Sequence, residues 1–329
     1  MPITKRSMRA IAVAGVAVAA LALTACSSGS GESTPTFTGT TGPITIGFSP
    51  MNQQAPALIG LAHGVQGMVE AGGDKFLLAD PNNDPATQAS QIEAWITNKQ
   101  IQGWWSLAAS APSLTSVIKL AQQNGVVGVV NGVPEDYSLS GMQRGISFSM
   151  IDYAKVGGNI GDDMVACVAS RGKGSTGEVI FVTNPAGQVG NDEQIAAFKE
   201  AVGSKVTIVA EVAGEANAAT SQAAVASALQ AHPKAIGVFG WNDEATTGAV
   251  QAIKAAGLNP NNMCVVGGGG GDNALAGVAD GSIYGVAALD FGADLAQTIA
   301  QIKTMAADPN ALGVQLITPV KNAVTTVNP

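Results

Sequence analysis

Neutral amides and short carboxylates recur at intervals along this chain: Asn52-Gln53-Gln54, Asn82-Asn83-Asp84, Asn131, Asp152, Asn184, Asn191-Asp192, Asn217, Trp241-Asn242-Asp243, Asp272-Asn273 and Asp290. An amide side chain donates and accepts, a carboxylate accepts, and a hydroxyl donates one hydrogen bond and accepts two. Such a set suits a neutral, hydroxyl-rich molecule. It lacks the arginine forks that hold a phosphate or carboxylate. A site of this kind also rejects analogues lacking a hydroxyl, because each polar group left unpaired costs ~1–3 kcal/mol.

Signatures of bond-making chemistry are weak. His63 and His232 are the two histidines; they lie in separate helical segments, so neither a zinc site nor a histidine-assisted nucleophile is expected. Gly172, Gly174 and Gly177 spell G-x-G-x-x-G, but the run follows a helix and precedes a strand, the reverse of a dinucleotide-binding turn. Phosphate-loop and G-x-S-x-G patterns are absent. No metal, cofactor or catalytic residue is therefore assigned. The net charge of −8 argues against nucleic acid as a partner.

The elements that must position these residues alternate in type. Short β-branched runs at 44–49, 75–79, 103–107 and 126–130 are separated by helical stretches at 56–71, 85–99 and 112–124, each opened by a proline. A helix at 153–170 begins a second series, with strands at 179–183, 206–211, 235–239, 264–267 and 283–289. Helices at 191–202, 218–231, 243–256 and 273–280 fall between those strands, and a last helix spans 292–307. The pattern predicts an α/β protein of two doubly wound parallel-sheet lobes, since single cores stop growing at ~250–300 residues. In such sheets ligands collect at the carboxyl ends of the strands, and most of the residues named above sit just after a strand.

Each has a plainer reading. Asn82, Asn83 and Asp84 precede Pro85 and suit a helix cap; Asp152, Asp272 and Asp290 can equally be capping or hinge residues. Asp243 and Glu244 suit the first turn of a helix. Gly267–Gly271 reads as a tight turn. Trp104 and Trp105, adjacent in a strand, point to opposite faces, which favours core packing; Trp241, at a strand's carboxyl end, fits cleft or core.

Residues 1–25 differ from the rest. Lys5, Arg6 and Arg9 lead into a small-apolar run from Ala10 to Leu23, shorter than a ~20-residue membrane span, which reads as an export signal. Leu23-Thr24-Ala25-Cys26 resembles the lipobox of bacterial lipoproteins, so Cys26 is the expected lipidation site. Removal of 1–25 takes three basic residues and no acidic one, leaving a charge of −11. Residues 26–42, rich in Ser, Thr and Gly, are expected to be a flexible tether, with the body starting near Pro43. Cys167 ends the helix before the second lobe's first strand and Cys264 opens its fourth, so both belong at the edge away from the cleft. A disulfide is expected there; the alternative is two buried thiols.

The runs IGFS, AP-x-L-x-G-L-x-H-G, NNDPATQASQIEAWI and S-x-IKLAQQ-NGVVGVVN between Ile44 and Gly132 resemble the ribose-binding-like class of periplasmic solute-binding proteins. HPKAIGVFGWNDEATTGAVQAIKAAG followed by VVGGGGGDN is similar to the second lobe of that class. The resemblance implies lobes joined by three crossings, near 147–152, 288–291 and 310–314. Lobe one would then be 43–149 plus 290–312, and lobe two 150–289 plus 313–329. It implies a monomeric extracytoplasmic lipoprotein, in the periplasm or on the outer face of the cytoplasmic membrane. Such a protein delivers a small neutral sugar or polyol to an ABC permease. A sugar-processing α/β enzyme and a signal-sensing binding lipoprotein are the alternatives. Departures from the class bear on the ligand. Ala57 and Leu58 replace its aromatic residues, Asn131-Gly132 its Asp-Arg pair, Asp192 its arginine, Gly269 its acid and Leu289 its polar hinge residue, while Asn242 is retained.

Overall fold

A computed structural model describes residues 35–328 other than 55, 173, 175, 184–189, 215 and 216. The expected lipidation site Cys26, the signal at 1–25 and Asn184 lie outside the described residues.

The first series runs β1 (Thr45–Ser49), α1 (Pro56–Ala71), β2 (Lys75–Leu78), α2 (Pro85–Thr97), β3 (Gly103–Ser106), α3 (Thr115–Asn124), β4 (Val127–Asn131) and β5 (Ile146–Met150). The second runs α4 (Tyr153–Ser170), β6 (Gly177–Thr183), α5 (Asn191–Val202), β7 (Val206–Ala213), α6 (Ala218–Ala231), β8 (Gly237–Gly240), α7 (Asp243–Ala255), β9 (Cys264–Gly269), α8 (Asp272–Asp280) and β10 (Gly285–Leu289). The chain then adds α9 (Phe291–Ala307), β11 (Gln315–Ile317) and β12 (Val320–Val324). Pro112 opens a 3₁₀ turn, Ala111–Leu114, ahead of α3 rather than the helix itself. The proline at this point sets the first turn, where a missing N–H costs nothing.

Two six-stranded sheets result, ordered β11-β5-β4-β3-β1-β2 and β12-β10-β9-β8-β6-β7. The two orders match strand for strand, so the lobes repeat one topology. All pairings are parallel except β10 with β12. Each sheet is buried on both faces. Trp105 packs with Ile46, Phe48 and the α9 residues Leu295, Ile299 and Ile302; Trp104 packs on the other face with Ile92, Ile96, Val117 and Tyr137. The two adjacent tryptophans thus anchor opposite cores, as alternation along a strand requires. In lobe two, Phe181, Phe198 and Phe239 stack with centroids 4.2–6.1 Å apart.

The chain passes from β5 into α4 through Ile151 and Asp152, and from β10 into α9 through Asp290. Both passages leave the carboxyl ends of strands, so that end of each sheet, called the rim below, borders the hinge. The third crossing differs from expectation. Residues 311–317 stay with lobe one: Gly145 N–H donates to the Ala311 carbonyl at 2.9 Å and Val314 N–H to Ser147 Oγ at 3.0 Å, and β11 pairs with β5. The crossing is therefore at Thr318-Pro319, not at 310–314. A three-residue edge strand with one side open carries too little apolar periodicity to be read. Thr318 N–H donates to the Met150 carbonyl at 2.9 Å and Asp290 N–H to the Pro319 carbonyl at 2.8 Å, which ties the three crossings side by side.

The opposite ends of the sheets, the base, are fastened differently. In lobe two Cys167 and Cys264 form a disulfide, Cα atoms 5.5 Å apart, closing a loop of 97 residues. Arg171 beside it donates to the carbonyls of Met263, Gly281, Val327 and Asn328 and lies 5.2 Å from the Tyr284 ring, which pins the C-terminus. In lobe one the expected free tether ends early. Phe37, its single aromatic, is half-buried and bonded to Asn310, so residues 36–42 belong to the body.

Candidate functional site

The lobe-one rim contains two hydrogen-bonded groups. In the first, Asn52 Nδ2 donates to Asn83 Oδ1 at 2.8 Å, Asn52 Oδ1 accepts from Gln54 N–H at 3.0 Å, and Gln53 Nε2 reaches the Asn52 carbonyl at 3.3 Å. Asn82 and Asn83 hold φ of 52° and 61°, a conformation asparagine tolerates, and Asp84 caps α2 by accepting from Thr87 N–H at 2.6 Å. Capping is thus the observed use of Asp84. The second group centres on Asn131, whose Oδ1 accepts from Ala108 N–H at 2.7 Å while its carbonyl accepts from Tyr137 Oη at 2.7 Å. Its Nδ2 takes no partner among the described residues and keeps access to solvent.

Gln88, which sequence reasoning missed, holds this rim together. Fully buried, it donates through Nε2 to the carbonyls of Ser49 and Leu107 and accepts from Ala109 N–H at 2.8 Å. In lobe two Gln194 of α5, also buried, plays a similar part, its Nε2 donating to the Trp241 carbonyl at 2.9 Å. Both were visible in principle: Gln88-Ile92-Ile96 and Gln194-Phe198-Val202 each place a glutamine in line with an i, i+4, i+8 apolar stripe. A polar residue on a buried stripe must find buried partners.

On the lobe-two rim Trp241 stacks on Tyr153, centroids 6.0 Å apart at 28°. Burial, with Glu193 nearby, raises the Tyr153 pKa, so the phenol stays neutral. Among the described residues Trp241 Nε1 is a buried donor without a partner, and Asn191 Oδ1 a buried acceptor without one. Asn191 Nδ2 donates to Asp192 Oδ1 at 3.3 Å, and Asp192 itself is exposed. Asp243 does more than occupy a first turn. Its carboxylate accepts from Gly270 N–H at 2.8 Å and Gly271 N–H at 2.9 Å, occupying the space a Cβ on Gly269 would need. Gly269 and Gly270 hold φ of 122° and 104°, which explains the glycine run.

Four of the remaining candidates serve as caps. Asp152 accepts from Lys155 N–H at 2.9 Å, Asn217 from Thr220 N–H at 2.9 Å, Asn242 from Ala245 N–H at 2.9 Å and Asp290 from Ala293 N–H at 3.0 Å. Asp290 also pairs with Lys321 of β12; that ammonium, with the Ala293 amide, lowers its pKa. Asn217 and Asp272 are exposed and join neither of the lobe-two groups. Electrostatically the rim is one-sided. No lysine, arginine or histidine lies in the segments that join β1, β2, β3, β5, β6, β7, β8, β9 and β10 to the helices that follow them at the rim. Helix N-termini attract anions, but α2, α4, α6, α7 and α9 are capped by the chain's own side chains, and α5 and α8 open with Asp192, Glu193 and Asp272.

Two surface cavities lie away from the rim: one of about 570 Å³ beside Thr45, Asp74 and Lys75, the other of about 290 Å³ between α7 and α8. Topology and side-chain chemistry, not enclosed volume, mark the site. Among the described residues no group of three His, Cys, Asp or Glu side chains is placed to hold a metal.

Comparison with known proteins agrees with this arrangement. The periplasmic binding protein domain family matches residues 46–308, well over half of the chain. The ribose import binding protein RbsB of Bacillus subtilis is 23% identical over 247 residues, 75% of this chain and 76% of that protein. Among solved structures, the periplasmic ribose ABC transporter protein of Conexibacter woesei is similar with TM-score 0.71 and 22% identity, over 87% of this chain and 94% of that one. The Caulobacter myo-inositol binding protein, bound to myo-inositol, gives TM-score 0.65 and 18% identity over 86% and 94%. With two like lobes, amide-rich rims and a three-stranded hinge, the chain belongs to the periplasmic binding protein family and is a solute-binding protein, not an enzyme.

Proposed function

We propose that this protein is the extracytoplasmic receptor of an ABC importer and binds a small neutral sugar or polyol between its lobes. One observation carries the choice of ligand: the loops that lead from the strands into the rim helices hold no cation, Lys321 beside them is paired with Asp290, and seven helix N-termini are capped by the chain's own oxygens or open with carboxylates. An anionic ligand would meet repulsion there, while a hydroxyl finds partners of both kinds. Asn131 Nδ2 and Trp241 Nε1 offer donors, and Asn191 Oδ1 offers an acceptor. A linear polyol or an inositol-like ring fits a rim lacking aromatic residues at 57 and 58, and the ribose- and inositol-binding relatives support the class. The ligand acts by bridging both lobes, stabilising the closed form through its differential affinity, and the permease receives the closed pair. The basic, apolar and lipobox residues of 1–26 support export and attachment through a lipid on Cys26. The protein works as a monomer at the outer face of the cytoplasmic membrane.

A thermal-shift panel of pentoses, hexoses, inositols and linear polyols tests this. A ligand at a hundred times its Kd adds about 2.7 kcal/mol, a rise of roughly 4 °C for a chain of this size. The phosphorylated or carboxylated analogue of the same compound should give no rise. Asn131→Ala, Asp192→Ala and Asn242→Ala should each weaken the shift while leaving the protein folded. A shift seen only with anionic analogues, or unchanged in all three variants, contradicts the reading.

A further inference from the structure

We propose that the base of lobe one is the face this protein turns toward the surface holding its N-terminus, and that residues 36–42 form the strap that fixes it there. Three contacts make the strap. Asn310 closes a two-point clasp on Phe37, accepting from its N–H at 2.9 Å and donating to its carbonyl at 2.7 Å. Thr40 N–H donates to the Ala306 carbonyl at the end of α9 at 2.8 Å. Gly39 lies so close to the Ala307 carbonyl that a Cβ has no room. The Phe37 ring covers Gly125, the left-handed cap of α3, with the Arg144 guanidinium 6.0 Å from its centroid.

All these partners belong to the end of lobe one opposite the rim: α3 and α9 finish there, and β4 and β5 begin there. The chain therefore leaves the body at the base. Nine residues, 27–35, lie between Cys26 and Thr36, ten steps of chain that reach at most about 35 Å when extended. Resting on the lipid attachment proposed above, the partner surface is a bilayer. Lobe one is then the held jaw, and lobe two, joined only through the hinge, is the one that swings.

Hydrogen exchange on the protein purified from cells tests the strap without any ligand. The Phe37 and Thr40 amides should exchange at least about tenfold slower than in an unstructured peptide. Gly39→Val and Asn310→Ala should each remove that protection and speed chymotryptic cleavage after Phe37, with lobe-two amides unchanged. Free exchange in the wild type, or no response to either substitution, overturns the strap. On vesicles of phosphatidylcholine and phosphatidylglycerol carrying a headgroup photo-crosslinker, adducts should fall on 119–125 and 305–311. Equal labelling of both lobes overturns the orientation. Failure to associate with the vesicles, strap amides remaining protected, overturns the lipid attachment and with it the bilayer as partner.

Discussion

Single residues at the rim hold two duties at once, and the balance between them decides what a substitution does. Asn131 supports the Ala108 amide with its oxygen and leaves its Nδ2 open; Asn131→Asp keeps the acceptor and loses the donor. It should fold with a melting temperature within ~2 °C of wild type and bind its polyol at least about tenfold more weakly, since one hydrogen bond in a dry site contributes ~1–3 kcal/mol. Equal affinity by calorimetry would remove Asn131 from the site. Asp163 is the opposite case, a carboxylate with no part in binding. It sits in α4 against Gly285 and Asn322, its Oδ2 buried and unpartnered, and burial, with Asp162 nearby, pushes its pKa from 3.8 up to about 7. Because the folded pKa lies above the unfolded one, Asp163 destabilises the fold progressively as pH rises from about 4 through 7 and most above it. Asp163→Asn should therefore raise the melting temperature at pH 8.5 and change it little at pH 4; the same difference at both pH values in thermal denaturation would show that Asp163 is not responsible.

Elements act through their ends, and there the sequence was informative to a definable depth. Periodicity located α1, α4, α5 and α6 to the residue because apolar spacing and capping chemistry coincide: Asp152 and Asn217 stand at the caps of α4 and α6, and Gly190 precedes α5. The same coincidence blurs function, since Asp152, Asn217, Asn242 and Asp290 are the polar side chains a cleft needs and the ones a helix start needs. Only tertiary contacts separate the two uses. β11 was not legible because three half-exposed residues carry no pattern, and the Asp243 clamp was hidden because its partners lie 27 and 28 residues away. Asn242→Ala, which removes the α7 cap, should cost about 0.5–2 kcal/mol in chemical denaturation. Reduction of the Cys167–Cys264 disulfide should cost more, up to ~4–5 kcal/mol in the chain-entropy account for a loop of 97 residues. A loss on reduction smaller than that of the single cap would mean that the unfolded chain is not constrained by this bond.

At the scale of the whole molecule, one topology used twice makes two rims, and three chain crossings laced by the Thr318–Met150 and Asp290–Pro319 hydrogen bonds make the joint between them. The bases are fastened by the disulfide, by Arg171 and by the N-terminal strap. Rigidity is thus concentrated away from the rims, and the joint is where the molecule can bend. Bending there lets an uncharged, hydroxyl-rich ligand draw the two rims together. Small-angle X-ray scattering of the purified protein, with and without a saturating concentration of the sugar or polyol that gives the largest thermal shift, tests it directly. The radius of gyration should fall on binding, and should not change with a non-binding stereoisomer at the same concentration. A bound protein with an unchanged radius of gyration would contradict it.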